Sequence, residues 1–192
     1  MTLIELMVWS TLAFLVLAML TVMMIQVMHY ARVESERSHS FMAEMRALNW
    51  LSQDLRYANS AALVIHQHDL QPTWVSIQVS NPITPSEQPR FGDQLVYYRW
   101  KPSDGLLYRC VARPPALTLD PIDPYRPTEP ELQSLDTDPR VERHQLADFV
   151  TSFKVLGPPR VSGWVRIQLE TTSPNKKQTF RQERLLSVRF SN

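Results

Sequence analysis

The sequence predicts an α+β fold in which a long N-terminal helix, first membrane-spanning and then amphipathic, packs on an antiparallel β-sheet head. Three observations predict it. The first 31 residues carry one charged side chain, Glu5, at the mouth of an apolar run from Leu6 to Ile25. No Pro precedes Pro72 and no Gly precedes Gly92, so nothing breaks a helix until about Ala61. Beyond that point β-branched and aromatic runs alternate with Pro and polar clusters, the grammar of strands and turns.

The apolar run is 20 residues, roughly 30 Å of helix and the thickness of a hydrocarbon core. Its only polar side chains are Ser10, Thr11 and Thr21, whose hydroxyls can bond back to helix carbonyls. In lipid the backbone must satisfy its own hydrogen bonds, which selects helix. A secretory signal would carry a basic n-region before the run and a small-residue cleavage site after it; neither is present. A carboxylate at mid-bilayer costs roughly 2.5–3.5 kcal/mol, so an acid in such a segment points to function, against the plainer reading of a simple anchor.

The stretch Met1-Thr2-Leu3-Ile4-Glu5-Leu6-Met7-Val8 resembles the processed N-terminus of type IV pilins and type II secretion pseudopilins. The resemblance implies cleavage by a dedicated peptidase, N-methylation of Met1, and pairing of Glu5 with the N-terminal ammonium of a neighbouring subunit. A removed leader would also account for the missing basic flank. By the same resemblance Leu3, Ile4, Leu6, Val8, Leu12, Phe14 and Leu15 pack against other helices in a filament core. Major pilins often melt locally at a Gly and a Pro in this half, whereas this chain has Ala13-Phe14 and Val22-Met23 and no breaker.

The expected organisation is residues 1–28 for the membrane or filament-core half of the helix, 29–62 for the amphipathic half and 63–192 for the head. In the second half Arg32, Glu34, Glu36, Arg37, Glu44 and Arg46 are expected in solvent. Phe41, Met45, Leu48, Leu51, Leu55, Ala58 and Ala62 recur at steps of three and four, an apolar stripe that needs burial against the sheet. In the head, strands are predicted at Leu63–His66, Trp74–Val79, Gln94–Trp100, Leu106–Val111, Phe149–Leu156, Trp164–Thr171 and Thr179–Phe190. Asp104-Gly105 predicts a hairpin between the third and fourth, because Gly supplies positive φ, and another reversal falls near Ser173-Pro174-Asn175-Lys176. The ending Leu51-Ser52-Gln53-Asp54-Leu55-Arg56-Tyr57-Ala58 and the pair Tyr97-Tyr98-Arg99 and Gly105-Leu106-Leu107-Tyr108-Arg109 are similar to the J-type pseudopilins and W-type minor pilins.

Between Ala112 and Gln145 lie seven prolines, seven acids and four arginines, which reads as an irregular surface insertion. Its acids allow a calcium site built from Asp120, Asp123, Asp136 or Asp138, although they follow no EF-hand spacing. Otherwise no cofactor is expected. His66 and His68 share a strand face without further ligands, and Cys110, being alone, forms no intrachain disulfide and reads as a small buried hydrophobe. With four glycines and no nucleophile elbow or paired catalytic carboxylates, the chain is not expected to be an enzyme or to take a small-molecule substrate. Residues 146–192 hold Lys154, Arg160, Arg166, Lys176, Lys177, Arg181, Arg184 and Arg189 against three acids. Strand alternation spreads these over two faces, so solvated strands are favoured over a nucleic-acid patch.

The resemblance therefore implies a minor pilin or pseudopilin, inserted once in the inner membrane with a periplasmic head and incorporated near the tip of a pilus or pseudopilus. Its partners would be other minor subunits, the major subunit and the assembly platform. The competing reading is a single-span anchored binding or sensor module with no filament role.

Overall fold

The computed structural model describes residues 2–67, 73–80, 90–156, 164–173 and 179–187. Met1, His68, Arg160, Lys176, Lys177, Arg189, Phe190 and the reversal at 174–176 lie outside the described residues. The chain divides into two units, Met1–His39 and Ser40–Asn192.

Helix α1 runs Leu3–Arg56. Its residues 6–28, in the first unit, are exposed and carry no charged side chain, and the stretch from Arg32 to Arg37 that follows is charged. Its portion in the second unit buries one stripe: Ser40, Ala43, Glu44, Ala47, Leu48, Leu51, Ser52, Asp54 and Leu55. Leu48, Leu51 and Leu55 of the expected stripe are buried, and the other positions differ from it. Met45 is half-buried and Phe41 is 46% exposed, because the small Ser40, Ala43 and Ala47 take the innermost positions. Glu44, expected in solvent, is fully buried, and its Oε1 accepts a hydrogen bond from the Thr171 hydroxyl at 2.6 Å.

The helix stops earlier than about Ala61. Tyr57 N–H closes the last turn on the Asp54 carbonyl at 3.2 Å, and the chain enters β1 at Ala58. Ala58 and Ala62 are buried in a strand instead of a helix. Pairing of Ala58 with Val79 across the sheet overrides the helix propensity of alanine.

Among the described residues eight strands form two antiparallel sheets. β1 (Ala58–His66), β2 (Thr73–Ser80), β3 (Phe91–Lys101), β4 (Leu106–Ala112) and β5 (Glu142–Ala147) make the larger, in that order. β6 (Val150–Leu156), β7 (Trp164–Thr172) and β8 (Thr179–Ser187) make the smaller. All seven predicted strand regions are present, and β5 is the one unforeseen. Gly105 turns the β3–β4 hairpin with φ of 64°, and Lys101 pairs with Leu106.

Alternation along the larger sheet feeds two cores. Val75, Ile77, Val96, Tyr98, Trp100, Leu107 and Val111 face the α1 stripe, joined there by Phe153, Val165, Ile167 and Leu169 of the smaller sheet. Trp74, Leu95, Tyr97, Cys110 and Ala112 face the other way and meet Leu132, Leu135 and Val141. Cys110 is buried, as its apolar reading expects.

The residues that complete the second core come from the Pro-rich segment, which corrects the expectation that it holds no regular element. It contains α2 (Glu129–Thr137) and most of β5. Pro130 sits in the first turn, where its missing N–H costs nothing. Glu131 Oε2 accepts from the Thr128 N–H at 2.7 Å, the reach-back bond of a capping box. Arg143 donates to the carbonyls of Asp136 and Asp138 at 2.6 and 2.7 Å, satisfying the helix's C-terminal end. Gln78, fully buried, ties the segment to β2 by accepting the Tyr125 N–H at 2.8 Å and donating to the Asp120 carbonyl at 3.4 Å.

Candidate assembly site

At the start of α1, Thr2 is the residue before the helix and Glu5 the third within it. The Thr2 N–H donates to Glu5 Oε2 at 2.8 Å, and the Leu6 N–H donates to the Thr2 carbonyl at 3.3 Å. This is the reach-back half of a capping box, and it sets a carboxylate where the helix dipole favours one. Glu5, expected to be stranded in an apolar run, is capped by the Thr2 N–H, and the Thr-x-x-Glu spacing is the signal in the sequence for that bond. The other polar side chains behave as expected. Ser10 and Thr11 both donate to the Met7 carbonyl, and Thr21 donates to that of Leu17 at 2.8 Å.

Leu3, Ile4, Leu6, Val8, Leu12, Phe14 and Leu15 are all exposed, from 51% at Leu12 to 81% at Leu3. A surface so apolar exceeds what a soluble monomer ordinarily leaves in water, and it is compatible with contact to lipid. One helix, α1, is long and apolar enough among the described residues to cross a membrane.

At the opposite end of α1 the two head motifs meet. Asp54 Oδ2 accepts from the Tyr98 hydroxyl at 2.5 Å and from Arg109 Nε at 2.8 Å, while Oδ1 accepts from Arg109 Nη2 at 3.0 Å. The guanidinium lies over the Trp50 ring, 4.6 Å from its centroid. Burial, reinforced by the Asp54 carboxylate, pushes the Tyr98 phenol far above its ordinary range, so it remains a neutral donor. The two motifs are separately visible in the sequence, and their meeting is not. An acid flanked by Leu51 and Leu55 on the inner stripe was the available signal, because a buried carboxylate must find a cation.

Three of the four acids considered for calcium, Asp120, Asp136 and Asp138, have other partners. Asp120 Oδ1 accepts the N–H groups of Ile122 and Asp123. Asp136 pairs with Arg99 at 2.5 Å and Asp138 with Arg140 at 2.6 Å. His66 Nε2 lies 2.9 Å from the Pro127 carbonyl oxygen. Among the described residues no three His, Cys, Asp or Glu side chains are grouped to hold a metal. On the smaller sheet Arg166 pairs with Glu183 at 3.1 Å and Arg181 with Glu170 at 3.6 Å, cross-strand pairs on solvated positions.

These features define an α+β protein whose N-terminal helix could serve as a single membrane span. No family model matches the chain, no curated protein is detectably similar to it, and no solved structure matches it.

Proposed function

We propose that this chain is a minor pilin or pseudopilin, a structural subunit that primes or caps a type IV pilus-like filament. The observation that carries the reading is the exposed apolar half of α1 with one carboxylate at its mouth. The long helix followed by an antiparallel head supports it, as does the N-terminal stretch from Thr2 to Glu5. In this reading the membrane holds the free subunit, and neighbouring helices replace lipid as the filament forms. Glu5 engages Thr2 through Oε2 alone among the described contacts, which leaves Oε1 to meet the ammonium of an adjoining subunit. Two opposite charges in an apolar setting offset each other's desolvation only when paired, and that fixes axial register.

Mass spectrometry of the native N-terminus tests the reading. A methylated α-amine on Met1 is the expected result. An unmodified chain that continues uncut upstream of Met1 would leave only a membrane-anchored head.

A further inference from the structure

Gln67, Thr73, Trp100, Ser152, Phe153 and Lys154 line a cleft of about 220 Å³ beside the open edge of β6, which pairs only with β7. Two clasps close most of that edge. At one end Val150 donates its N–H to the Gly105 carbonyl at 2.8 Å and its carbonyl accepts from Trp100 Nε1 at 3.1 Å. At the other end the Val155 N–H donates to Gln67 Oε1 at 3.0 Å. An antiparallel strand turns the N–H and C=O of alternate residues to the same side. Phe153 lies two residues before Val155 in unbroken register, so its N–H and C=O also turn away from β7. Among the described residues neither group meets a partner.

Thr73 adds another unmet group. It is 1% exposed, and its buried hydroxyl has no hydrogen-bond partner. Interiors ordinarily pair such hydroxyls, so one left over beside a cleft marks where a ligand atom belongs. Lys154 is the one charged side chain among the described residues that line the cleft.

The opening between the clasps states what fits. A passing strand needs successive residues along the edge, and Val150 and Val155 are already engaged. A chain end needs only one. The Lys154 ammonium, with no carboxylate lining the cleft, selects the carboxylate end over the amino end. The volume is below the roughly 300–1,000 Å³ of sites for drug-sized ligands, which suits a single residue.

We infer that this cleft captures the C-terminal residue of an extended peptide. The residue's N–H donates to the Phe153 carbonyl, and its carboxylate accepts from the Phe153 N–H, the Thr73 hydroxyl and the Lys154 ammonium. The inference needs neither the membrane span nor the filament reading, so an unmethylated N-terminus would leave it standing.

The probe is acetyl-Gly-Gly-Ala with a free carboxylate, added to the detergent-solubilised full chain carrying nitrogen-15 phenylalanine. Phe153→Leu identifies the Phe153 amide signal, which is expected to shift saturably with a Kd of about 1 mM. Thr73→Val should weaken binding about ten-fold, the loss of a hydrogen bond to a charged group. Lys154→Gln should weaken it about three-fold, the size of an exposed ion pair. The Thr73→Val melting temperature is expected at or above wild type, because the hydroxyl is unpaired in the free protein. A melt well below wild type would overturn the assignment, since the hydroxyl would then be engaged without ligand. So would an unmoved Phe153 signal, wild-type affinity in both variants, or equal binding of the same peptide as its C-terminal amide. Equal binding of acetate alone would reduce the cleft to a plain anion site and overturn it as well.

Discussion

Replacing Asp54 with Ala removes, in one step, the acceptor for the Tyr98 hydroxyl and both Arg109 donors. The side chains are only 9% and 13% exposed, so water does not substitute for the lost partner. Breaking a buried ion pair by deleting one member costs about 3–5 kcal/mol. Here the guanidinium keeps its stacking on Trp50, which places Asp54→Ala near the lower end, about 3 kcal/mol. For a head of this size that is a fall in melting temperature of about 6–12 °C. The assay is thermal unfolding of the detergent-solubilised full chain, followed by near-ultraviolet circular dichroism, since Trp50 and Tyr98 both report on this contact. Asp54→Leu with Arg109→Met removes the buried charges together and should recover part of the loss, the Tyr98 hydroxyl still lacking its acceptor. A melting temperature within about 2 °C of wild type for Asp54→Ala, or additive losses in the double variant, would refute the clamp as the joint between helix and sheet.

Three further outcomes follow from the head. Burial raises the Glu44 carboxyl above the ordinary carboxylate range, outweighing its bonds from Thr171. The folded state therefore holds the proton more tightly than the unfolded state, and stability declines as pH rises from about 4.5 through the raised value. Glu44→Gln should flatten that decline in urea melts across pH, and an unchanged slope would count against it. Gly105→Ala forces a β-carbon into positive φ beside the Val150 backbone and should cost about 1 kcal/mol or more, read as a lower urea midpoint at constant m. Leu132→Ala empties a fully buried site under the sheet and should cost about 3 kcal/mol. A neutral Leu132→Ala would mean that the Pro-rich segment is dispensable to the second core.

The strands were legible because alternation and turn chemistry are local. Gly105 turns its hairpin, and Val96, Tyr98 and Trp100 point one way while Leu95 and Tyr97 point the other. The insertion was not legible, for a physical reason. Proline density predicts an irregular surface insertion with no regular element, whereas Pro130 stands in a first turn, where proline is tolerated, behind a Thr128–Glu131 capping pair. Burial of Glu44 was equally hidden. Its partner Thr171 is 127 residues away, and nothing around Glu44 in the chain marks it apart from the exposed Glu34. The Asp54 joint spans 44 residues to Tyr98 and 55 to Arg109, so its parts were visible and their meeting was not.

The reach-back bond found at α2 is also found at α1, and this sharpens what must be asked of Glu5. Thr128 and Glu131 show that a Thr-x-x-Glu pair starts a helix in this protein with no partner subunit involved. An acid at position 5 is thus explained locally by the Thr2 N–H, and its presence alone does not require a filament. The two roles separate under one substitution. Gln at the third helical position still accepts the reach-back bond, so Glu5→Gln keeps the cap while removing the charge that would meet an ammonium. Glu5→Ala removes both. If pairing governs assembly, Glu5→Gln and Glu5→Ala should be lost equally from sheared filament fractions, while the thermal melt of the head stays at wild type in both. Recovery of Glu5→Gln in filaments at wild-type levels, with Glu5→Ala depleted, would identify the carboxylate as a helix cap and remove the electrostatic basis for register.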